Sequence, residues 1–403
     1  MNVIKGRLYN EYHTFIVGSF LFAYKIFNNK VLKKLCTFLC KYPEYLDILK
    51  DPVFVRLDSI YQEGMTHYIS DELYPQKNNI TRYNHSITCS IIIWYICKYN
   101  EKKYGNIIND NFTIKLMIIA LLHDISHVAL SHVIDRVWHE YHAENRKNFI
   151  MHHKSLMEIL YNLENRGIIN IERDILVEFN DFIKGGGKTR LNIDRLAYFL
   201  HDWFFAKYFN LKKDTTQVIK FIFNALNSVR LFVGFHNNEP LNELVFTDMT
   251  IAERFSEISC KMNKLWTGSI STITYVIAGK IIEALLNQNL LTEKELYVLT
   301  DDELIELMKK YYLEEYDKIV NGVNGSFDLI QYNIVIPGKK YSDHDKENVT
   351  YTFDELQKKH KYIGEQSRYR LSQPYVWKDD INELHQLNTI NMKTITPVCF
   401  GLD

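Results

Sequence analysis

The stretch ALLHDISHVALSH, residues 120–132, sets His123, Asp124, His127 and His132 into otherwise apolar sequence. It continues from Thr113–Leu122, whose composition reads as a buried helix. A buried polar group without a partner costs about 1–3 kcal/mol. Three histidines and a carboxylate must therefore satisfy one another or share something strongly electrophilic. Adjacent helical residues point about 100° apart, so His123 and Asp124 can still converge on one ion near a helix end. Further ligands must come from elsewhere in the chain. His85, in TRYNHS at the start of the apolar run Thr81–Tyr99, is one candidate. Asp194, in LNIDRLAYFLHD on a helix that otherwise reads as buried, is the other. Two imidazoles and two carboxylates suit a divalent metal ion: Mn²⁺, Fe²⁺, Zn²⁺ or Mg²⁺. They leave coordination positions for water and a phosphate oxygen.

The bulk numbers agree with a folded chain. Its 403 residues are 46% hydrophobic and 14% aromatic, ample for a large core. The length allows two or three domains or one large helical one. A net charge of −1 and a pI near 6.9 give no global basic bias, so nucleic acid is not indicated as a partner. The six cysteines form no C-x-x-C pair and read as free thiols in a reducing compartment. Phe15–Phe27 resembles a signal-peptide core, but Glu11 and His13 precede it and Lys25 interrupts it. It is too short to span a bilayer. The expectation is a cytoplasmic protein with no membrane partner.

Helical patterns cover residues 1 to about 50, then Lys154–Leu163, Ile171–Lys184, Ile193–Phe209, Gln217–Leu231, Thr250–Met262 and Thr272–Gln288. Two helix starts follow at Thr292 and Thr300, each with acidic residues in its first turn. DLIQYNIVIPGKKY and NVTYTF late in the chain suggest a hairpin.

Four segments in order resemble one family, the HD phosphohydrolase superfamily, and within it the deoxynucleoside triphosphohydrolases of the bacterial dGTPase and sterile-alpha-motif/HD type. DPVFVRLDSIYQEG (Asp51–Gly64) is similar to the family's P-x-F-x-R-L-x-x-I-x-Q-x-G segment. TRYNHS is similar to x-R-x-x-H-S, ALLHDISHVALSH to A-L-x-H-D-x-G-H-x-P-F-S-H, and NIDRLAYFLHD to D-x-D-x-x-D-Y-x-x-R-D. The resemblance spans residues 51 to about 202, roughly half the chain. It departs at Ser126, Ala129 and Leu130, where the family has Gly, Pro and Phe. It also departs at Ala197 and His201, where Asp and Arg are usual.

The resemblance implies a mainly α fold: an HD-domain helical core with a smaller α+β C-terminal part. Its divisions would be an N-terminal helical extension (1–50), the HD phosphohydrolase domain (51–290) and a C-terminal α+β region (291–403). It implies that His85, His123, Asp124 and Asp194 hold the metal. The substrate would be a nucleotide, in first place a deoxynucleoside triphosphate, cleaved by water to nucleoside and triphosphate. His127, His132 and His152 are the acid/base candidates; His153 competes with His152, and a solvated pair is the other reading. Arg82 and Arg195 are the phosphate candidates, against surface ion pairs. Gln62, Tyr198 and Asp202 would line the sugar, against core packing for Tyr198 and capping for Asp202. Relatives are commonly homo-oligomers. An HD phosphatase or phosphodiesterase for another nucleotide, and a catalytically silent nucleotide-binding module, are the competing readings. The intact H…HD…D set argues against the silent module.

IKGGGKTR (Ile183–Arg190) does not make a phosphate loop, because Phe182 stands where the motif needs its first glycine. Lys188 could at most approach a ligand. SDHDKEN (Ser342–Asn348) lacks the glycine and closing Glu of a calcium loop.

Overall fold

The computed structural model describes residues 25–72, 74, 78–103, 105–138, 141–176, 182–184, 191–205, 215–236, 239–266 and 268–322, with strands at 330–333, 362–365, 375–378, 383–386 and 398–402. Its helices of eight or more residues are α1 (Asn29–Leu39), α2 (Pro43–Lys50), α3 (Arg82–Tyr95), α4 (Asp110–Leu122), α5 (Tyr141–His152), α6 (Lys154–Asn165), α7 (Ile193–Phe205), α8 (Thr215–Asn227), α9 (Met249–Trp266), α10 (Ser269–Asn287), α11 (Asp301–Tyr311) and α12 (Leu313–Asn321). The mainly helical class read from the sequence is borne out.

The two helices that matter most for the site start on side-chain caps. Thr81 Oγ1 accepts from Asn84 N at 3.3 Å to open α3, and Asn109 Oδ1 accepts from Phe112 N at 2.7 Å to open α4. Both are apolar on nearly every face because both are enclosed. α3 packs against α4 and α7, and all three share one buried cluster with Phe27, Leu35 and Leu39 of the N-terminal segment.

A second buried cluster joins Met65 and Val128–Leu130 to α10 and to Leu304, Ile305 and Met308 of α11. α10 is long and apolar enough to cross a membrane by length and composition. It supplies Ile273, Ile277, Ile281 and Leu285 to that cluster. The helix starts expected at Thr292 and Thr300 are both present as capping boxes, with Glu295 and Glu303 reaching back to their caps.

Two sequence expectations change, and a third falls partly outside the described residues. The helix read to Leu231 stops at Asn227, and Val229–His236 is a strand, β1, antiparallel to β2 (Glu239–Phe246). Of the helix expected over Ile171–Lys184, Ile171–Leu176 is a wide helical turn and Phe182–Lys184 a turn, and 177–181 lie outside the described residues. β3 (Ile330–Asn333) pairs with β7 (Val398–Leu402), which also takes β4 (Tyr362–Glu365), while NVTYTF lies outside the described residues. β5 (Tyr375–Lys378) and β6 (Glu383–Gln386) extend the β1–β2 hairpin into a four-stranded sheet, order β1-β2-β5-β6.

Candidate metal centre

Three helix ends converge on one point. His85 lies in the first turn of α3, and its backbone N–H is held by Thr81 O at 3.0 Å. α4 ends at Leu122, and His123 is its C-cap. The His123 Nδ1–H donates to Ala120 O at 2.7 Å, which leaves Nε2 as the lone-pair nitrogen. Asp194 opens α7, where Ile193 N and Asp194 N bond to Phe182 O and Ile183 O at 2.8 and 3.1 Å. Those bonds seat α7 against the Phe182–Lys184 turn.

The four predicted ligands come together. His85 Nε2 is 2.9 Å from Asp194 Oδ1, and His123 Nε2 is 3.5 Å from Asp124 Oδ1 and 3.6 Å from Asp194 Oδ1. Ligand atoms of all four lie within 4.8 Å of one another. Metal bonds of 2.0–2.2 Å place neighbouring ligand atoms roughly 3–3.6 Å apart, so one divalent ion fits the set. His123 Nε2 is buried without a hydrogen-bond partner, the condition of a nitrogen awaiting an electrophile.

The electrostatics favour the ligating protonation states. Burial pushes the Asp124 carboxyl up, but His123, Lys184, His127 and Arg82 around it outweigh this and hold it well below the usual range. Burial likewise raises Asp194, and the neighbouring His123 and His85 imidazoles with the Lys184 ammonium outweigh it and hold the carboxyl well below the usual range. Burial lowers His85, keeping the imidazole neutral.

Arg82 is not a surface residue. It is 3% exposed, with Nε donating to Ser131 Oγ at 2.9 Å, Nη1 to Asp124 Oδ2 at 2.7 Å and Nη2 to Gln62 O at 3.3 Å. Ser131 reaches it through an unusual turn. Leu130 and Ser131 hold positive φ angles of 59° and 52°, each costing a non-glycine residue roughly 1–2 kcal/mol. The Asp301 carboxylate, at the start of α11, accepts from Leu130 N at 2.6 Å and from Tyr61 N at 2.8 Å. Gly64 packs beneath this turn at φ 52°, where a Cβ would come within 2.6 Å of Leu130 O.

The other predicted residues divide. His127 is not on a helix, since α4 has ended, yet its Nε2 comes within 3.5 Å of Asp124 Oδ1. His132 is exposed, sits edge-on to His127 and bonds Asp135 at 2.9 Å. His152 is exposed at the end of α5, with Nδ1 donating to Asn148 O of its own helix; His153 does the same to Phe149 O. Gln62 Oε1 and Asp202 Oδ1 are buried without hydrogen-bond partners. Burial, with Asp194 adding to it and Arg82 opposing, pushes the Asp202 carboxyl up to about 8. Tyr198 is half-buried with its ring against Phe199, and Arg195 is half-buried with its backbone N–H on Asn192 Oδ1. Ala197 and His201 are buried in α7, and Lys188 lies outside the described residues.

Lys184 was missed. Its Nζ donates to Asp124 Oδ1 at 2.7 Å, so the two oxygens of that carboxylate face an ammonium and a guanidinium. Its one signal in the sequence is a lysine just before Gly185–Gly187, a stretch easily set aside once the phosphate-loop motif fails. Asp301 was also missed, because an acidic residue after Thr300 reads as ordinary first-turn charge.

No protein-family model matches the chain. It is 25% identical over 313 residues to the uncharacterized protein YdhJ of Bacillus subtilis, covering 75% of this chain and 81% of that one. It is 23% identical over 274 residues to the metal-dependent phosphohydrolase cns2 of Cordyceps militaris, covering 66% and 69%. The crystal structure of a phosphohydrolase from Bacteroides thetaiotaomicron shares the fold, with a TM-score of 0.58 at 15% identity over 88% of this chain and 94% of that one. The chain is thus similar in sequence to a metal-dependent phosphohydrolase and shares its fold with a phosphohydrolase, and that fold brings two histidines and two carboxylates together at one largely buried point.

Proposed function

We propose that the protein is a metal-dependent phosphohydrolase acting on a nucleotide, in first place a deoxynucleoside triphosphate cleaved to deoxynucleoside and triphosphate. The observation that carries this reading is the clustering of buried His85, His123 and Asp124 with half-buried Asp194, and of Arg82 and Lys184 bonded to the two oxygens of Asp124. A divalent ion bound there supplies Lewis acidity toward a phosphoryl oxygen and activates water at neutral pH. Arg82 and Lys184 hold and neutralise phosphate oxygens; three of the five Arg82 N–H groups already fix its plane. His127, beside Asp124, moves the proton. Gln62 and Asp202 meet the sugar, their unpartnered buried oxygens being the support for that assignment. With its carboxyl near 8, Asp202 carries a proton at neutral pH and can donate to a hydroxyl as well as accept.

A second reading, a phosphatase or phosphodiesterase for another nucleotide, is favoured by one observation. Ala197 and His201 stand buried on α7 where the resembling triphosphohydrolases have Asp and Arg. Incubating the purified protein with Mn²⁺ or Mg²⁺ and a nucleotide panel separates the two. Nucleoside plus triphosphate supports the first, and orthophosphate or a nucleoside monophosphate the second. No hydrolysis of any nucleotide, with metal bound, would overturn both.

A further inference from the structure

α3 carries a soft donor one turn beyond its metal histidine. Cys89 stands four residues after His85, on the same helix face, and is fully buried. Its Sγ lies 3.6 Å from His85 Nε2. His85, Cys89 and His123 form a second donor group whose ligand atoms also lie within 4.8 Å of one another. An ion bound at about 2.0–2.1 Å to imidazole and 2.3 Å to thiolate separates nitrogen and sulfur by roughly 3.5 Å at a tetrahedral angle. The observed spacing is the one a single zinc-like ion would impose. His123 Nε2, buried and without a hydrogen-bond partner, is available to either set.

We propose that the centre holds two overlapping ligand sets on the shared His85 and His123. One is oxygen-rich and completed by Asp124 and Asp194; the other is completed by Cys89 and takes thiophilic ions such as Zn²⁺ or Co²⁺ through sulfur. This rests on the metal reading above. Hard ions such as Mg²⁺ stay with the carboxylates, because thiolate is a poor partner for them. As the metal–sulfur bond forms, the thiol proton leaves to solvent, and nothing is oxidised. The identity of the ion then decides which residues hold it, and with them how much of Asp124 and Asp194 stays engaged.

The test is optical and needs no turnover. The metal-free full chain is titrated with Co²⁺. Visible ligand-field bands report binding at the centre, and a near-ultraviolet sulfur-to-cobalt charge-transfer band reports Cys89. Both are expected in the wild type. Cys89→Ala and Cys89→Ser should keep the first and lose the second, and His123→Ala should lose both. Ligand-field bands without charge transfer in the wild type, or charge transfer that survives Cys89→Ala, overturns the thiolate set and leaves the metal reading intact. Absence of both bands overturns the metal reading and the thiolate set together. Zinc-edge X-ray absorption on the wild type is independent of any variant's folding. A sulfur neighbour at about 2.3 Å is expected, and a shell of nitrogen and oxygen alone would sink the proposal.

Discussion

Arg82 Nη1 donates to Asp124 Oδ2 at 2.7 Å, and the two side chains are 3% and 1% exposed. Removing one partner of a buried pair leaves an uncompensated charge, at a cost of about 3–5 kcal/mol. Arg82→Ala should therefore lower the melting temperature as well as weaken substrate. Arg82→Lys should recover only part, because one ammonium cannot serve Ser131, Asp124 and the Gln62 carbonyl in their fixed plane. Thermal denaturation checks this; a melting temperature equal to wild type in the Ala variant contradicts it.

Asp194→Ala, or His123→Ala with Asp124→Ala, should abolish bound metal and hydrolysis together. Each removes donors from a set whose atoms lie within 4.8 Å of one another. Elemental analysis of the folded variants decides the matter. Full metal content in either one rules out the ligand set, whereas an inactive variant that keeps its metal points to the proton-transfer step.

The sugar assignment predicts discrimination. A substrate lacking the 3′-hydroxyl leaves the Gln62 and Asp202 oxygens unpaired, as they are now. It should be disfavoured by roughly 1–3 kcal/mol, about ten- to a hundredfold in kcat/KM. Gln62→Ala should lose most of that preference and keep its metal. Equal turnover of 2′-deoxy and 2′,3′-dideoxy substrates by the wild type removes the sugar site from these residues.

Asp301 gives a pH dependence of stability. Burial pushes its carboxyl up to about 7, and the bonds from the Leu130 and Tyr61 N–H groups only partly offset this. A carboxyl raised above its unfolded value binds its proton more tightly when folded. Its contribution is complete below about pH 4 and is lost as pH rises through 7. Asp301→Asn cannot titrate, so the stability gap between wild type and variant should narrow from pH 4 to 7, by a few kcal/mol at most. Urea denaturation across that range measures it, and a constant or widening gap refutes the assignment.

The convergence of His85, His123, Asp124 and Asp194 was legible because polar residues in apolar helices need a reason. What followed Leu122 was less so. His127 and His132 follow helix α4 in sequence, but the chain leaves the helix at His123 and turns left-handed at Leu130 and Ser131. Helical geometry therefore said nothing about where those rings lie. Lys184 and Asp301 were invisible for a related reason: they bond to partners 60, and 171 and 240, residues away in sequence, and no local period encodes that. The β1–β2 hairpin hid behind α8, whose apolar run passes into Val229–Phe235 with only Ser228 between them.

The span from Tyr61 to Asp301, 240 residues, also sets a timetable. A growing polypeptide has all four metal-ligating side chains once Asp194 is made. The carboxylate that holds Tyr61 and Leu130, and through them the partners of Arg82, arrives more than a hundred residues later. At 5–20 residues per second that is a delay of roughly 5–20 s on the ribosome. Stalled chains of increasing length should stay inactive toward nucleotide until Asp301 has cleared the exit tunnel.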